Sequence, residues 1–160
     1  NPQSNMGNGV GSAPIAEANQ LDLPVGLGTD GFTADMFASL RTASLLLRNV
    51  NQNPAIGQTE AFQMAFTVNS AIAERYFSEP LGRLQPGGPA DLIVVDYQPP
   101  TPITPENYFA HILNGFSGGM VEMTIIDGKI LMEDGEVKVG DYERLQYEIT
   151  RQAADFWRRF

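Results

Sequence analysis

Val25-Gly26-Leu27-Gly28-Thr29-Asp30-Gly31 is an apolar, glycine-spaced run that stops abruptly on an acid. The pattern predicts a buried strand over Val25 to Gly28 whose exit aims Asp30 out of its C-terminal end, the place where α/β enzymes carry their chemistry. The two glycines leave room for neighbouring backbone to approach closely. A second reading stands beside this one: Asp is a favoured N-cap, so Asp30 would then do no more than cap the helix that follows.

Working outward, Ile15 to Leu21 reads as a short helix before the strand, and residues 1 to 14, rich in Asn, Gly, Ser and Pro, read as a loop. After Asp30, the residues Met36, Leu40, Ala43, Leu46 and Leu47 recur at helical spacing from Ala34 to about Arg48. A break at Asn51 to Gly57 leads to another helix that opens on Thr59 as N-cap, with Glu60 and Gln63 behind it, and runs to about Tyr76. Helix, strand, helix is the rhythm of a β/α barrel, so residues 1–80 read as the closing part of a β/α structure.

At Leu81 the pattern changes. Leu81-Gly82-Arg83-Leu84-Gln85-Pro86-Gly87-Gly88-Pro89-Ala90-Asp91 is a tight passage into Leu92-Ile93-Val94-Val95-Asp96, a strand apolar on both faces. Pro99 to Pro105 is too proline-dense for regular structure, and a short helix follows over Asn107 to Leu113. Val121 to Ile126 and Lys129 to Met132 flank Asp127-Gly128, a strong two-residue hairpin signal, and Asp134-Gly135 marks a second turn. Residues 81–139 therefore read as a small β-sheet, and residues 140–160 as a C-terminal amphipathic helix carrying Leu145, Ile149, Ala153, Phe156 and Trp157.

Composition narrows the function classes. With 42% hydrophobic and 18% charged residues the chain is globular, and no apolar run approaches the roughly 18 residues of a membrane span. A net charge of −9 argues against nucleic acid and anionic membranes as partners and leaves small molecules open. Zero cysteines exclude disulfides, a thiolate nucleophile and Cys-ligated metal, in keeping with a cytoplasmic protein. At 160 residues the chain is too short for a complete (β/α)₈ barrel of about 250 residues, and it opens on Asn1-Pro2-Gln3-Ser4-Asn5 without a start residue, which reads as a fragment.

Three motifs invite chemistry that their context refuses. Gly115-Phe116-Ser117-Gly118-Gly119 matches the serine nucleophile elbow, but a helix precedes it, a strand follows it, and the only histidine, His111, lies upstream. Gly7-Asn8-Gly9-Val10-Gly11-Ser12 has neither the preceding strand nor the lysine of a phosphate loop. His111 itself reads as a satisfied structural histidine, and Asp91 and Asp96 as turn residues.

Taken together, Asn1-Pro2-x-Ser4-Asn5, the Gly28-Thr29-Asp30-Gly31 exit, Leu81-Gly82-x-Leu84-x-Pro86-Gly87-x-Pro89-Ala90-Asp91-Leu92 and the late Gly128-Lys129 hairpin resemble the C-terminal part of the amidohydrolase superfamily. The similarity is greatest to its aminohydrolase and chlorohydrolase branch, which includes guanine and S-adenosylhomocysteine deaminases and triazine enzymes. The resemblance implies an α/β fold: the C-terminal portion of a distorted (β/α)₈ TIM-like barrel, with part of a composite β-sandwich and the C-terminal helix. It implies a metal-dependent hydrolase acting on C–N or C–Cl bonds of a small heterocyclic substrate, in which Asp30 is both metal ligand and catalytic proton shuttle, and Ser4 and Asn5 shape the substrate pocket. A divalent zinc or iron belongs to the full-length parent and is not expected in the fragment, since the family's histidine ligands lie on preceding strands. The implied partners are the substrate and the missing N-terminal half of the same protein; homo-oligomers are compatible with it. Two alternatives stay open: a non-catalytic β-sheet interaction module, and a cyclic-amidase or deacetylase branch of the same superfamily.

Overall fold

A computed structural model describes residues 1–159. In chain order its elements are α1 (Pro2–Gly7), α2 (Ile15–Gln20), α3 (Met36–Asn51), α4 (Gln58–Phe62), a π-helical stretch (Gln63–Val68), α5 (Asn69–Ala73), β1 (Leu92–Val95), α6 (Tyr108–Gly115), a 3-10 turn (Gly118–Met120), β2 (Val121–Ile126), β3 (Lys129–Glu133), β4 (Glu136–Val137) and α7 (Tyr142–Trp157).

The stretch expected as a loop before Ile15 contains a helix. Asn1 stands at the N-cap of α1 and Pro2 in its first turn, where a missing N–H costs nothing. Packing fixes it: Pro2 and Ser4 are buried, and Ser39 Oγ on α3 donates to Gln3 Oε1 at 3.1 Å. Helix α2 forms as its sequence predicts. Val25 to Gly28 is extended but is not a strand in a ladder, because no strand lies beside it among the described residues.

Helix α3 is the spine of the first half. Its N-cap is Asp35, whose carboxylate accepts from Phe37 N at 2.9 Å and Ala38 N at 3.1 Å. Its inner face buries Leu40 and Ala43 with Ser39 and Ser44. The cap of the next helix lies two residues before the expected one. Gly57, at φ 98°, is the N-cap, and its N–H is taken by the Glu60 carboxylate at 2.6 Å, so Thr59 sits inside the first turn. One core gathers Ile15, Leu27, Leu40, Ala43, Ala61, Phe62, Met64 and, from α6, Leu113. Phe62 and Phe109 rings lie 3.9 Å apart across it.

The second half carries a four-stranded antiparallel sheet in the order β1-β2-β3-β4. The hairpin falls where the sequence puts it, with Ile126 opposite Lys129 and the turn residues Asp127 and Gly128 at φ 51° and 70°. Asp91 pins this turn from a distance: its Oδ1 accepts from Asp127 N at 2.7 Å, and Gly128 N donates to Ala90 O at 3.2 Å. Strand β1 is apolar on both faces, and Ile93 and Val94 are exposed. Helix α7 buries none of its residues, and Leu145 and Ile149 on its apolar stripe stay about half exposed. Among the described residues no helix is long and apolar enough to cross a membrane.

The Gly115 to Gly119 motif is a joint. Gly115 packs flat under Tyr97, whose hydroxyl would stand 2.5 Å from a Cβ placed there. Gly118 N donates to Asp35 Oδ2 at 3.0 Å. Arg41 Nε and Nη2 donate to the carbonyls of Leu113 and Phe116 at 2.9 and 2.8 Å, and the Phe37 and Phe116 rings meet edge to face. These bonds fasten the end of α6 and the entry to β2 onto α3.

Asp35 thus caps a helix and holds a joint. Burial pushes its carboxyl upward, but the N–H groups of Gly118, Ala38 and Phe37, with the Arg41 charge, more than offset that and hold it below the usual carboxylate value. A lowered folded value means the contribution is complete above about pH 4, where the unfolded group is ionised, and is lost as pH falls through the folded value. Asp35→Ala is therefore expected to cost about 1–2 kcal/mol at pH 7, with the gap to wild type narrowing below about pH 4. Urea denaturation at the two pH values measures it.

Candidate active site around Asp30

The extended segment is held from its side by a side chain. Leu27 N donates to Asn69 Oδ1 at 3.0 Å, and Asn69 Nδ2 donates back to Leu27 O at 2.8 Å. The two glycines serve side chains and not backbone: a Cβ on Gly26 would collide with Asn69 Oδ1, and one on Gly28 would come within 2.7 Å of Asn1 Oδ1. Leu27 between them is buried in the core.

Three residues on, Asp30 adopts a left-handed conformation at φ 57°. Its Oδ1 accepts from the next amide, Gly31 N, at 2.7 Å, and its Oδ2 accepts from Ser4 Oγ at 2.7 Å. The N-cap of α3 is Asp35 and not Asp30. Ser4 is buried on α1, where Asn8 Nδ2 donates to its carbonyl at 3.0 Å. The carboxylate itself is exposed, so the hydroxyl comes up from the protein and leaves the outer side of the acid open. The Ser4 hydroxyl first, and the Gly31 N–H second, hold the Asp30 carboxyl below its ordinary 3.8.

The structure brings Ser4 and Asp30 into contact and leaves Asn5 apart from them. Asn5 lines a cavity of about 260 Å³ with Asn1, Pro2, Val25, Gly26 and Met64, and neither Ser4 nor Asp30 is on its wall. Asn69 was not singled out in the sequence. Its signal was a lone amide in an apolar helical run, Met64, Ala65, Val68, Ile72.

Among the described residues there is no group of three or more His, Cys, Asp or Glu able to hold a metal ion. His111 is buried with both ring nitrogens engaged, Nδ1 with Tyr97 Oη at 2.8 Å and Nε2 with Thr101 Oγ1 at 3.2 Å. A catalytic zinc needs three protein ligands. The residues present do not make that set, and Asp30 offers one carboxylate toward it.

A 5-methylthioadenosine/S-adenosylhomocysteine deaminase of Moorella thermoacetica is 34% identical over 155 residues, 94% of this chain and 36% of that protein. A 5'-deoxyadenosine deaminase of Methanosarcina mazei is 36% identical over 160 residues, 97% of this chain and 36% of that protein. The chain thus spans little more than a third of the curated relatives it matches. Among solved structures, an adenosine deaminase from Xanthomonas campestris with bound zinc shares the fold with a TM-score of 0.82 at 23% identity, over 99% of this chain and 37% of that one. The zinc complex of the atrazine chlorohydrolase TrzN from Arthrobacter aurescens TC1 superposes with a TM-score of 0.68 at 23% identity, over 92% and 33%. The model of the Amidohydrolase family matches residues 1–131, and on that match the chain belongs to the amidohydrolase family.

Proposed function

We propose that this chain is the C-terminal part of a metal-dependent aminohydrolase that removes the exocyclic amine of an adenosine-type nucleoside, with Asp30 as its proton-transfer acid–base group. In this reading residues 1–80 are the last β/α segment of a distorted (β/α)₈ barrel, residues 81–139 are part of a composite β-sandwich, and α7 is the helix that follows them. The observation that carries it is the Ser4–Asp30 pair at the end of the Val25 to Gly28 segment. The named activities of the relatives support the substrate class.

Asp30 suits the role because its environment keeps it ionised. A short bond from a buried hydroxyl and a second from Gly31 N favour the carboxylate, and its exposed side remains free to take a proton. Hydrolytic deamination adds a water oxygen to the ring carbon bearing the amine and expels ammonia. Asp30 takes a proton from the attacking water and gives one to the departing nitrogen. Ser4 fixes the Oδ2 edge so that one orientation of the acid meets the substrate. Asp30 would offer one ligand to a divalent zinc or iron, which when bound would make the attacking water more acidic; the remaining ligands would have to come from outside this chain.

Asp30→Asn in the longer protein keeps the shape and removes the base, and is expected to slow deamination of 5'-deoxyadenosine about 10²- to 10⁴-fold, read as loss of the adenine-to-hypoxanthine absorbance change. Activity within a few fold of wild type overturns the role. The 160-residue chain alone is expected to carry no stoichiometric zinc or iron after gel filtration; one tight metal per chain by mass spectrometry would refute the ligand assignment. Ser4→Ala is expected to raise the Asp30 pKa toward 3.8, seen by carboxyl ¹³C titration of the metal-free chain. The sign follows from a lowered folded value: the bond stabilises the fold above that pH and stops doing so as Asp30 protonates.

A further inference from the structure

We infer that Asn69 is a positioning residue for Asp30: its carboxamide takes the place of a neighbouring strand at Leu27 and so sets where the acid at the end of that segment stands. The inference rests on the proposed acid–base role of Asp30.

In an antiparallel pair, one residue gives its N–H and takes an N–H on its C=O from the residue opposite, because both groups of an extended residue point to the same edge. Asn69 makes this same exchange with Leu27 through one side-chain amide, Oδ1 accepting at 3.0 Å and Nδ2 donating at 2.8 Å. Only this orientation of the amide satisfies both partners. The edge of the segment at Leu27 is therefore occupied from within the chain, and a strand pairing there has to use the other edge, at Gly26 and Gly28.

Two features of the sequence serve this contact. Gly26 has no Cβ to strike Asn69 Oδ1. The π-helical stretch ends on Asn69, whose N–H bonds to Met64 O five residues back. In a regular α-helix, residues five apart stand about 140° apart around the axis; the wider π turn brings them onto one face, so buried Met64 and Asn69 both look inward. Asp30 follows Leu27 by three residues, a reach of about 10 Å, and is tied at its far end by Ser4. It stands between two tethers.

The test uses the longer protein that contains this chain, with 5'-deoxyadenosine as substrate. Asn69→Ala is expected to lower kcat about 10- to 100-fold with KM within about threefold, to speed amide exchange of the peptide covering residues 25–31 by about tenfold or more, and to leave a cooperative melt. Gly26→Ala displaces the Asn69 amide without altering Asn69 and is expected to reproduce the kcat loss, so it decides the matter should Asn69→Ala fail to fold. Unchanged exchange at 25–31, or a loss carried wholly by KM, overturns the inference. Asp30→Asn run alongside separates the two claims: full activity there refutes the acid–base reading, while exchange in Asn69→Ala still reports whether Asn69 holds the segment.

Discussion

Buried backbone polar groups must be paired, and an extended segment without a strand beside it has to find its partners elsewhere. Leu27 is that case. Its side chain is in the core, so its N–H and C=O lie where water is scarce, and an unpaired buried group costs about 1–3 kcal/mol. Asn69 removes that cost with one side chain. The rest of the first half is arranged around this choice: Gly26 clears the path, the π-helical stretch turns Asn69 toward it, and α3 and α4 close the core over Leu27.

Helix α3 carries the second set of constraints, through polar contacts at its cap and in its first two turns. Ser39 holds α1 through Gln3, and Asp35 and Arg41 hold the chain after α6. The position of Ser4 depends on α1 lying against α3, so the hydroxyl that reaches Asp30 is placed by that packing. The glycines of the 115–119 motif serve this joint. Gly115 admits Tyr97, and Gly118 admits the Asp35 carboxylate.

Elements with strong local codes were legible in the sequence. The Asp127-Gly128 hairpin, helix α3 and the amphipathic α7 each follow from turn chemistry or a 3.6-residue period that nothing tertiary contradicts. Helix α1 was not legible, because Asn, Ser and Gly argue for a loop and only burial of Pro2 and Ser4 against α3 makes the helix worthwhile. The start of α4 was misplaced because Glu60 bonds back to Gly57 and not to Thr59. In the site, Asp30 stood out as an acid at the end of an apolar run. Its bond to Ser4, 26 positions away, and the bond of Asn69 to Leu27, 42 positions away, are long-range pairings that no local pattern encodes.

The conformation of Asp30 ties these strands of argument to its chemistry. A left-handed φ of 57° is unfavourable for most L-residues, and Asp tolerates it because its short side chain can bond nearby backbone. Here Oδ1 does so, on Gly31 N, which locks the side chain to the local backbone. Once χ and φ are fixed together, the direction of the carboxylate is set by where the backbone of residues 27–30 lies, and that is decided by Asn69 at one end and Ser4 at the other. Freeing one residue's backbone gains about 1–2 kcal/mol of entropy, so a single tether of about 1 kcal/mol would leave the acid to wander. Two tethers and the Gly31 bond outweigh it, and the acid holds one direction before any substrate arrives.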